Sequence, residues 1–369
     1  MHILHVVGAR PNFMKAAPVL HAFSKEGAVS QTLVHTGQHY DASMSDVFFQ
    51  QLDIPEPDVN LHVGSGSHAQ QTAEIMMRLE PVILERAPDW VMVYGDVNST
   101  AAAALVCAKR VVKVAHVEAG LRSFDRTMPE EINRLVTDQL ADLLLTPSPD
   151  GNDNLLREGI APEKICLVGN VMIDTLVRLL PKARAHRLPG LPERYALVTM
   201  HRPANVDDQV FLRDLLGTLH EVGKALPVIF PVHPRTRHRI ADFGLPEEGD
   251  GHVRLTDPLP YLEFLALEES ATLVITDSGG IQEETTFLGV PCLTMRENTE
   301  RPVTTTIGSN VLVGRDMRRL GEEIRRILSG HRSQTRVPNL WDGHAAERIA
   351  NQVLNRQNMQ GDSVLVQAR

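Results

Sequence analysis

The stretch TLVITDSGGIQEE, residues 272–284, contains the pattern that decides the fold. Its first five residues form a nearly continuous apolar run, which is typical of a strand buried on both faces of a parallel sheet. Asp277 and Ser278 follow with two glycines, and a helical pattern begins near Ile281. A strand that leads through a short polar turn into a helix is the repeating unit of α/β folds.

The same alternation of short apolar runs and longer helical patterns extends through the chain. Helices are predicted, for example, over 68–86 and 129–141. Strands are predicted over 3–7, 32–36, 90–94, 112–117, 143–146, 196–200, 227–232, 252–256, 272–276, 291–295 and 311–313. We therefore expect an α/β protein built on doubly wound parallel sheets.

The length and one composition break predict two domains. The chain has 369 residues, and single hydrophobic cores rarely grow beyond about 250–300 residues. A stretch rich in Pro, Gly and Arg at 181–194 follows a helical pattern and suits a connection between domains. We place the boundary near Gly169, with an N-terminal Rossmann-like domain over 1–169 and a C-terminal one over 170–369.

Composition excludes several classes of protein. Hydrophobic residues make up 43% and charged residues 22%, as in ordinary globular proteins, and the formal net charge is −9. This balance disfavours a nucleic-acid or membrane-surface binder, which would carry a basic stripe. The three cysteines are far apart in sequence, so we expect neither a disulfide framework nor a metal site. The longest apolar stretch, 101–108, is too short to cross a bilayer. These features predict a cytoplasmic protein.

Polar residues cluster directly after the predicted strands. Ligands of open α/β sheets bind beyond the carboxyl ends of the strands, so this is where a site is expected. Any one such Gly or Asp would ordinarily be turn chemistry or a helix cap. The polar segments occur at 8–15, 35–39, 95–100, 116–122, 201–203, 233–235 and 277–280.

The segment Ser278-Gly279-Gly280 predicts an anion site. The first amides of a helix lack intrahelical partners and carry the positive end of the dipole, and glycines let an anion approach them closely. Glu284 lies one turn further on, where ribose hydroxyls attached to a bound phosphate could donate to it. Arg301 offers a second positive contact. The alternative is a helix capped by Ser278 whose glycines only pack closely.

The first half of the chain combines carboxylates with cations. Glu118 ends an apolar strand, and Glu130 follows a proline at a predicted helix start, so neither position suits a solvated helix face. Carboxylates in a cleft beside cations are typical of acid/base groups, although salt-bridged surface is the usual explanation of such runs. His201 and His233 end strands of the second half. The charged groups in question are Asp96, Glu118, Glu130, Glu131, Arg10, Lys15, Arg122 and Arg134.

A partial dinucleotide motif at 64–69, GSGSHA, does not support a nicotinamide cofactor. A true fingerprint follows a strand directly and opens the crossover helix of a βαβ unit. This one lies in a loop-like region after Asn60, and no acidic residue ends a clear second strand about 20 residues on. No cofactor is expected.

Taken together, these segments resemble the non-hydrolysing UDP-N-acetylglucosamine 2-epimerases. The matching motifs lie between residues 8 and 302: GARPNFMK, HTGQHY, VYGDVNST, HVEAGLRS, MPEEINR, VGNVMIDT, HRPANVDD, TDSGGIQEE and NTERP. The resemblance implies the glycosyltransferase-B architecture, in which two Rossmann-like domains face a cleft. It also implies a homodimer and a C-terminal helix, near 343–357 here, that packs back on the first domain.

The resemblance also implies a role for each candidate residue. The catalytic residues would be Asp96, Glu118 and Glu130, with His201 near the leaving diphosphate. Residues that bind the UDP-sugar would be Ser278, Gly279 and Gly280 at the diphosphate, Glu284 at the ribose, Arg10 and Arg301 at the phosphates, and Lys15 and Arg134 at the sugar. One position departs from the family pattern: Ala204 stands where a glutamate is common.

The implied reaction is reversible epimerisation at C2 of UDP-N-acetylglucosamine, and it fits this set of side chains. The C2 hydrogen becomes acidic only as the C1–O bond to UDP breaks, so the enzyme must stabilise a departing diphosphate and place a base at C2. Positions at adjacent strand ends make Glu118 and Asp96 the expected proton-transfer pair. Loss of UDP requires a closed site, so hinge motion near residue 169 is predicted, and an identical scattering profile with and without UDP-sugar would contradict it.

Four alternatives stay open on sequence alone. A hydrolysing epimerase would release UDP and N-acetylmannosamine. A related enzyme would act on a different UDP-sugar, such as a UDP-diacetamido-uronic acid. A glycosyltransferase of the same architecture would need an acceptor, and a nucleotide-sugar sensor would need no carboxylates.

Overall fold

The computed structural model describes residues 1–38, 51–246, 251–331 and 335–367, without the side chains of Arg10 and of residues 358–367. The chain forms two compact units. The first comprises Met1–Thr175 with Asn339–Arg369, and the second comprises Leu176–Pro338. The observed division lies between Thr175 and Leu176, a few residues after the boundary expected at Gly169. After Pro338 the chain returns to the first unit.

The first unit is built on a seven-stranded parallel sheet with the order β3-β2-β1-β4-β5-β6-β7. Its strands β1 and β4 are buried almost throughout, because helices cover both faces of the sheet. The strands are β1 His2–Val7, β2 Ser30–His35, β3 Val59–Asn60, β4 Trp90–Tyr94, β5 Lys113–Val117, β6 Leu143–Thr146 and β7 Ile165–Leu167. The described helices are α1 Arg10–Ser24, α2 His68–Arg86, α3 Asn98–Arg110, α4 Pro129–Leu140, α5 Pro149–Arg157 and α6 Val171–Ala185, which continues into the second unit.

The second unit repeats this plan on a six-stranded parallel sheet with the order β10-β9-β8-β11-β12-β13. Its strands are β8 Ala196–Thr199, β9 Val228–Pro231, β10 Val253–Thr256, β11 Leu273–Thr276, β12 Cys292–Thr294 and β13 Asn310–Leu312. The helices are α7 Pro203–Val206, α8 Gln209–Gly223, α9 Pro234–Asp242, α10 Tyr261–Ser270, α11 Gly279–Leu288, α12 Pro302–Thr306 and α13 Met317–Leu328. The prediction of two Rossmann-like parallel-sheet domains is therefore confirmed.

The final helix, α14 Ala345–Gln367, belongs to the first unit and packs on α1. The carboxylate of Asp174 accepts hydrogen bonds from the backbone amides of Ala345 and Ala346, at 3.1 and 2.7 Å. Since these are first-turn amides without intrahelical partners, Asp174 caps the helix. Burial raises the pKa of Asp174 to about 6.

Two edge strands were not predicted. The strand β3 has two residues and β7 has three, and the residues of both are only half-buried. Both are shorter than the run of four to eight apolar residues by which buried strands are recognised. The GSGSHA segment runs from the loop after β3 into the first two residues of α2, and Ser67 caps that helix by accepting from the amide of Gln70. Residues 61–67 separate the strand from the helix, so the glycines do not form the tight strand-to-helix turn of a dinucleotide fingerprint.

The turn after β5 depends on Gly120. Its φ is +80°, and a β-carbon there would lie 2.5 Å from the carbonyl oxygen of Gly151 on α5. Gly159 has the same φ of +80° but no atom within 4 Å of an added β-carbon. The two glycines therefore share one backbone strain and differ only in the space beside them.

Gly120→Ala is expected to destabilise the first unit by about 3 kcal/mol or more, because positive φ and overpacking add, whereas Gly159→Ala costs about 1–2 kcal/mol. Both tryptophans, Trp90 and Trp341, lie in the first unit. Urea unfolding followed by tryptophan fluorescence therefore reports that unit alone. Equal losses in the two variants would contradict the close approach at Gly120.

Candidate functional site

The first group of candidate residues lies at the carboxyl ends of β1, β4 and β5, which meet at one edge of the first sheet. Glu118 follows β5 directly and has a φ of +72°. The amides of Glu118 and Ala119 both donate to the carbonyl oxygen of Leu145, at 3.1 Å. A left-handed conformation costs a side chain other than glycine about 1–2 kcal/mol. Such local strain is typical of functional positions, and here it fixes the direction of the carboxylate.

Lys15 forms a buried ion pair with Glu118. The distance from Lys15 Nζ to Glu118 Oε1 is 2.8 Å, and the side chains are only 6% and 2% exposed. A β-carbon on Gly95 would lie 2.6 Å from the same Nζ, so the lysine reaches the carboxylate across a glycine. Two of the predicted residues, 103 positions apart in the chain, thus meet because β4 pairs with both β1 and β5.

Asp96 and Arg134 form a second pair. Arg134 donates from Nε and Nη2 to Oδ2 of Asp96, at 3.0 and 2.5 Å, and from Nη1 to Glu131 at 2.6 Å. Asp96 remains 22% exposed, so it is accessible while its charge is balanced. Glu131 also accepts from the amide and hydroxyl of Ser123, both at 2.9 Å, and therefore fixes the loop after Glu118.

Two predicted residues are less closely tied to this group. Glu130 is half-buried in the first turn of α4, one turn before Arg134. Arg10 begins helix α1, directly after β1, and its side chain lies outside the described residues.

A buried ionic network beneath these residues was not predicted. His116 contacts Oδ1 of Asp138 through Nδ1, at 2.6 Å, and the carbonyl oxygen of Gly95 through Nε2, at 2.8 Å. Both ring nitrogens thus lie within hydrogen-bond distance of an oxygen. Arg122 pairs with Asp138 at 2.7 Å and with Glu158 at 2.7 Å.

This network fixes the turn that precedes Asp96 to the turn that contains Glu118. Burial acts to raise the pKa of Asp138, but the adjacent His116 and Arg122 more than offset it, so the pKa lies below its usual value. The amide of Gly120 also donates to Asp138, at 3.1 Å. A histidine inside an apolar strand and an aspartate on the buried face of α4 were the sequence signals that could have revealed it.

The second group surrounds the start of α11 in the second unit. Ser278 occupies the N-cap position, but its side chain makes no capping hydrogen bond. Its amide donates to the hydroxyl of Thr276 at 2.9 Å. A β-carbon on Gly280 would have no neighbouring atom of the described residues within 4 Å. The interpretation of Ser278 as a simple cap is therefore not supported, and the first turn of the helix has room beside Gly280.

Arg301 lies against the same helix start. A β-carbon on Gly279 would be 2.7 Å from its Nη1. The guanidinium is held by Glu283, whose Oε1 is 2.9 Å from Nε, and by Glu300 at 3.4 Å. A cation fixed beside the positive end of a helix dipole is stable only with such counter-charges, and it adds to the attraction for an anion.

Two further arginines strengthen this positive field and were not predicted. Arg296 makes a two-point contact with Glu300, at 2.9 and 2.6 Å. Burial and the nearby Arg296 lower the pKa of Arg202, against the opposing effects of Glu300 and Asp277. Arg202, Arg296 and Arg301 thus bring several positive charges to this end of the sheet.

His201 is oriented by Asp277. Its Nδ1 lies 2.9 Å from Oδ1 of that buried carboxylate, which also accepts the amide of Arg202 at 2.9 Å and Nδ2 of Asn205 at 3.1 Å. Burial acts to raise the pKa of Asp277, but these hydrogen bonds more than offset it and the pKa is lowered. The contact fixes the ring with Nε2 directed away from Asp277.

Ala204, which stands where a glutamate is common in the family pattern, is not needed to orient His201. Ala204 is exposed on the short helix α7, and the carboxylate that orients His201 comes from Asp277 instead. His233 caps α9 through the amide of Arg235, at 3.2 Å, and its ring centroid is 5.7 Å from that of His201. His233 is thus a neighbour of the candidate site with a structural task of its own.

With both groups placed, comparison with known proteins identifies the family. A family model described as UDP-N-acetylglucosamine 2-epimerase matches residues 21–354, which is most of the chain. The chain belongs to this epimerase family. It is accordingly an enzyme of the isomerase class, as the motifs predicted.

Individual relatives of this epimerase lie at 39–44% identity. A UDP-2,3-diacetamido-2,3-dideoxy-D-glucuronate 2-epimerase of Pseudomonas aeruginosa is 44% identical over 353 residues, which cover 95% of this chain and 98% of that protein. A UDP-N-acetylglucosamine 2-epimerase of Methanococcus maripaludis is 39% identical over 363 residues, with coverage of 95% and 98%. The crystal structure of the Methanocaldococcus jannaschii UDP-GlcNAc 2-epimerase with UDP-GlcNAc and UDP matches with a TM-score of 0.88 and 40% identity, over 96% of this chain and all of that one.

Glu284 differs in surroundings from the other candidate residues of the epimerase. It lies on α11 one turn past Gly280, but it is only 3% exposed and accepts a hydrogen bond from the Tyr261 hydroxyl at 2.7 Å. Burial raises its pKa, while hydrogen bonds from Glu268 and Tyr261 oppose that effect.

In the described residues, no helix is both long and apolar enough to cross a membrane.

Proposed function

We propose that this epimerase interconverts UDP-N-acetylglucosamine and UDP-N-acetylmannosamine by eliminating UDP and adding it back after proton transfer at C2. The observation that carries the proposal is the pair Lys15–Glu118 beside Asp96 at the strand ends of the first unit. Their place in a chain of this family, together with the positive helix start at Ser278–Gly280, supports a nucleotide sugar as substrate.

The chemistry divides between the two groups of residues. A base removes the C2 proton as the C1–O bond breaks, and the products are a glycal and UDP. Protonation of the glycal on its other face, followed by return of UDP to C1, gives the epimer. We assign proton transfer to Glu118 and Asp96, with Glu130 assisting, since two faces of C2 require two groups. Lys15 and Arg134 hold the two main carboxylates in position and balance their charge.

The departing diphosphate requires the second group. The amides around Ser278, Gly279 and Gly280 and the guanidinium of Arg301 would stabilise its growing charge, with Arg10 as a further contact. His201, held by Asp277, would donate from Nε2 to a phosphate oxygen. Glu284 would accept from the ribose hydroxyls. We further propose that Arg202 and Arg296 contribute to binding through their charge rather than through direct contact.

The alternative substrate is a UDP-diacetamido-uronic acid, which the 44% identical relative favours. Such a sugar carries a carboxylate and would need a cation beside it. Retention of UDP during the reaction, rather than hydrolysis, is also part of the proposal, as is a cytoplasmic location.

One experiment tests the proposal and its alternatives together. Proton NMR of UDP-N-acetylglucosamine with the pure protein in D₂O should show UDP-N-acetylmannosamine and loss of the C2 proton signal. Appearance of N-acetylmannosamine with UDP would indicate hydrolysis instead. No change with this sugar, but turnover of the diacetamido-uronate, would transfer the assignment to the second substrate.

We propose a homodimer that uses the outer face of α2. Met77 and Leu84 are one heptad apart on that helix, so they share a face, and they are 61% and 57% exposed. Met77→Glu combined with Leu84→Glu is expected to convert a dimer into a monomer in sedimentation velocity. Val210→Glu, an equally exposed apolar position (61%) in the second unit, should leave the dimer intact. A dimer that survives the combined Met77→Glu and Leu84→Glu changes would exclude this face.

A further inference from the structure

Helices α10 and α11 carry two carboxyl groups that the reaction does not use together. Glu268 on α10 is 0% exposed, and Glu284 on α11 is 3% exposed. Glu268 lies two turns after Tyr261 on the same helix, so both face α11. Two carboxylates this deeply buried require either cations or protons to compensate their charge.

Cations do not supply that compensation in the described part of the chain. The ionisable groups acting on the pair are Tyr261 from α10 and Cys292 from β12, besides the two glutamates themselves. Neither oxygen of Glu268 receives a hydrogen bond from an N–H or hydroxyl donor of the described residues. The polar partner of Glu268 is therefore the carboxyl of Glu284. Two oxygens of adjacent carboxyls can form a hydrogen bond only if one of them carries a proton.

We propose that Glu268 and Glu284 share one proton and that protonated Glu268 acts as a positioning residue, holding Glu284 for contact with the ribose of the nucleotide. The proton belongs on Glu268 because that group lacks any other donor, whereas Glu284 accepts from Tyr261 at 2.7 Å. Burial, followed by the neighbouring Glu284, raises the pKa of Glu268 well above its usual value. The inference rests on the proposed function, which places ribose at Glu284.

The arrangement gives Glu284 two fixed donors, the Tyr261 hydroxyl and the Glu268 carboxylic acid. Both hold the carboxylate without neutralising it, so it retains the negative charge that a vicinal diol recognises. A lysine or arginine in the place of Glu268 would offset the negative charge of Glu284 and make its carboxylate a weaker hydrogen-bond acceptor. A neutral acid therefore suits an acceptor site only four residues from an anion-binding helix start.

Two substitutions separate hydrogen bonding from packing. Glu268→Gln keeps a neutral donor, because its amide N–H can replace the acid proton, whereas Glu268→Leu keeps the volume and removes the donor. Isothermal titration with UDP and with 2′-deoxy-UDP should show Glu268→Gln within about threefold of wild type for both ligands. Glu268→Leu should weaken UDP by about tenfold but 2′-deoxy-UDP by less than threefold, since the lost contact is to the ribose diol.

Equal weakening of both ligands by Glu268→Leu would indicate a merely structural role and would overturn the proposal, as would unchanged binding of UDP. A wild-type protein that binds neither nucleotide would instead refute the proposed function.

The shared proton can be tested without any ligand. Infrared spectra in D₂O at pD 8 should contain the carbonyl band of a protonated carboxyl that Glu268→Gln removes. Glu269→Gln, which changes the neighbouring glutamate paired with Arg184, should retain the band. If wild type lacks it, the pair does not share a proton.

Discussion

Replacing Glu118 by glutamine is expected to abolish exchange of the C2 hydrogen with solvent and to lower epimerisation by about 10³-fold or more. Glutamine matches the shape of the side chain but cannot accept a proton, and general-base catalysis typically contributes about 10²–10⁴-fold. The hydrogen bond to Lys15, now 2.8 Å long, can survive through the amide oxygen, so the fold of the turn is preserved. Proton NMR in D₂O measures exchange and product formation in the same sample.

Glu163→Gln provides the control for that experiment. Glu163 is an exposed carboxylate of the same unit, on the short 3-10 helix before β7, and its replacement should leave exchange unchanged. Asp96→Asn is the third variant. If Asp96 is the base on the other face of C2, exchange of the C2 hydrogen in this variant should differ between the two epimers supplied as substrate. Full retention of exchange in Glu118→Gln would remove Glu118 from the mechanism.

Gly279→Ala is expected to weaken UDP binding by about 100-fold. Its methyl group would lie 2.7 Å from Nη1 of Arg301, so the guanidinium must leave the helix start. A charged hydrogen bond to a phosphate is worth about 1.5–3 kcal/mol, which corresponds to roughly 10–150-fold in affinity. Isothermal titration with UDP gives the affinity, and thermal unfolding shows whether the second unit remains folded.

Gly280→Ala is the matched comparison for Gly279→Ala. A methyl group there meets no atom of the described residues within 4 Å, so the protein itself should tolerate it. Weaker UDP binding in Gly280→Ala without loss of stability would locate a phosphate beside this residue. Wild-type affinity in Gly279→Ala would contradict the role of Arg301, whatever the result at Gly280.

The predicted strands illustrate how far a sequence determines an α/β fold. Eleven apolar runs appear as strands because residues buried on both faces must be apolar along their whole length. The edge strands β3 and β7 escaped detection because they are only half-buried and only two and three residues long, so neither gives a clear periodic signal. Helix boundaries at His68 and Pro129 were predictable from a capping serine and an N-terminal proline.

The candidate site shows the corresponding limit. The types and approximate places of its residues follow from the sequence, because polar groups after buried strands gather at one edge of a parallel sheet. The roles assigned to those residues, from Arg10 to Arg301, stay predictions. The contribution of Asp277 to the orientation of His201 was missed, because a residue beside a glycine turn is easily assigned to the turn itself.

The sequence by itself determined the parallel sheets, the strand ends where the candidate residues lie and the family of the chain, since these depend on local patterns and short motifs. Only the tertiary structure decided which ionisable groups meet: Lys15 with Glu118, His116 with Asp138, and Tyr261 with Glu284. Strand order and helix packing bring these partners together from distant parts of the chain. Burial then makes each pairing decisive for side-chain orientation, because polar groups removed from water must be compensated by the nearest partner.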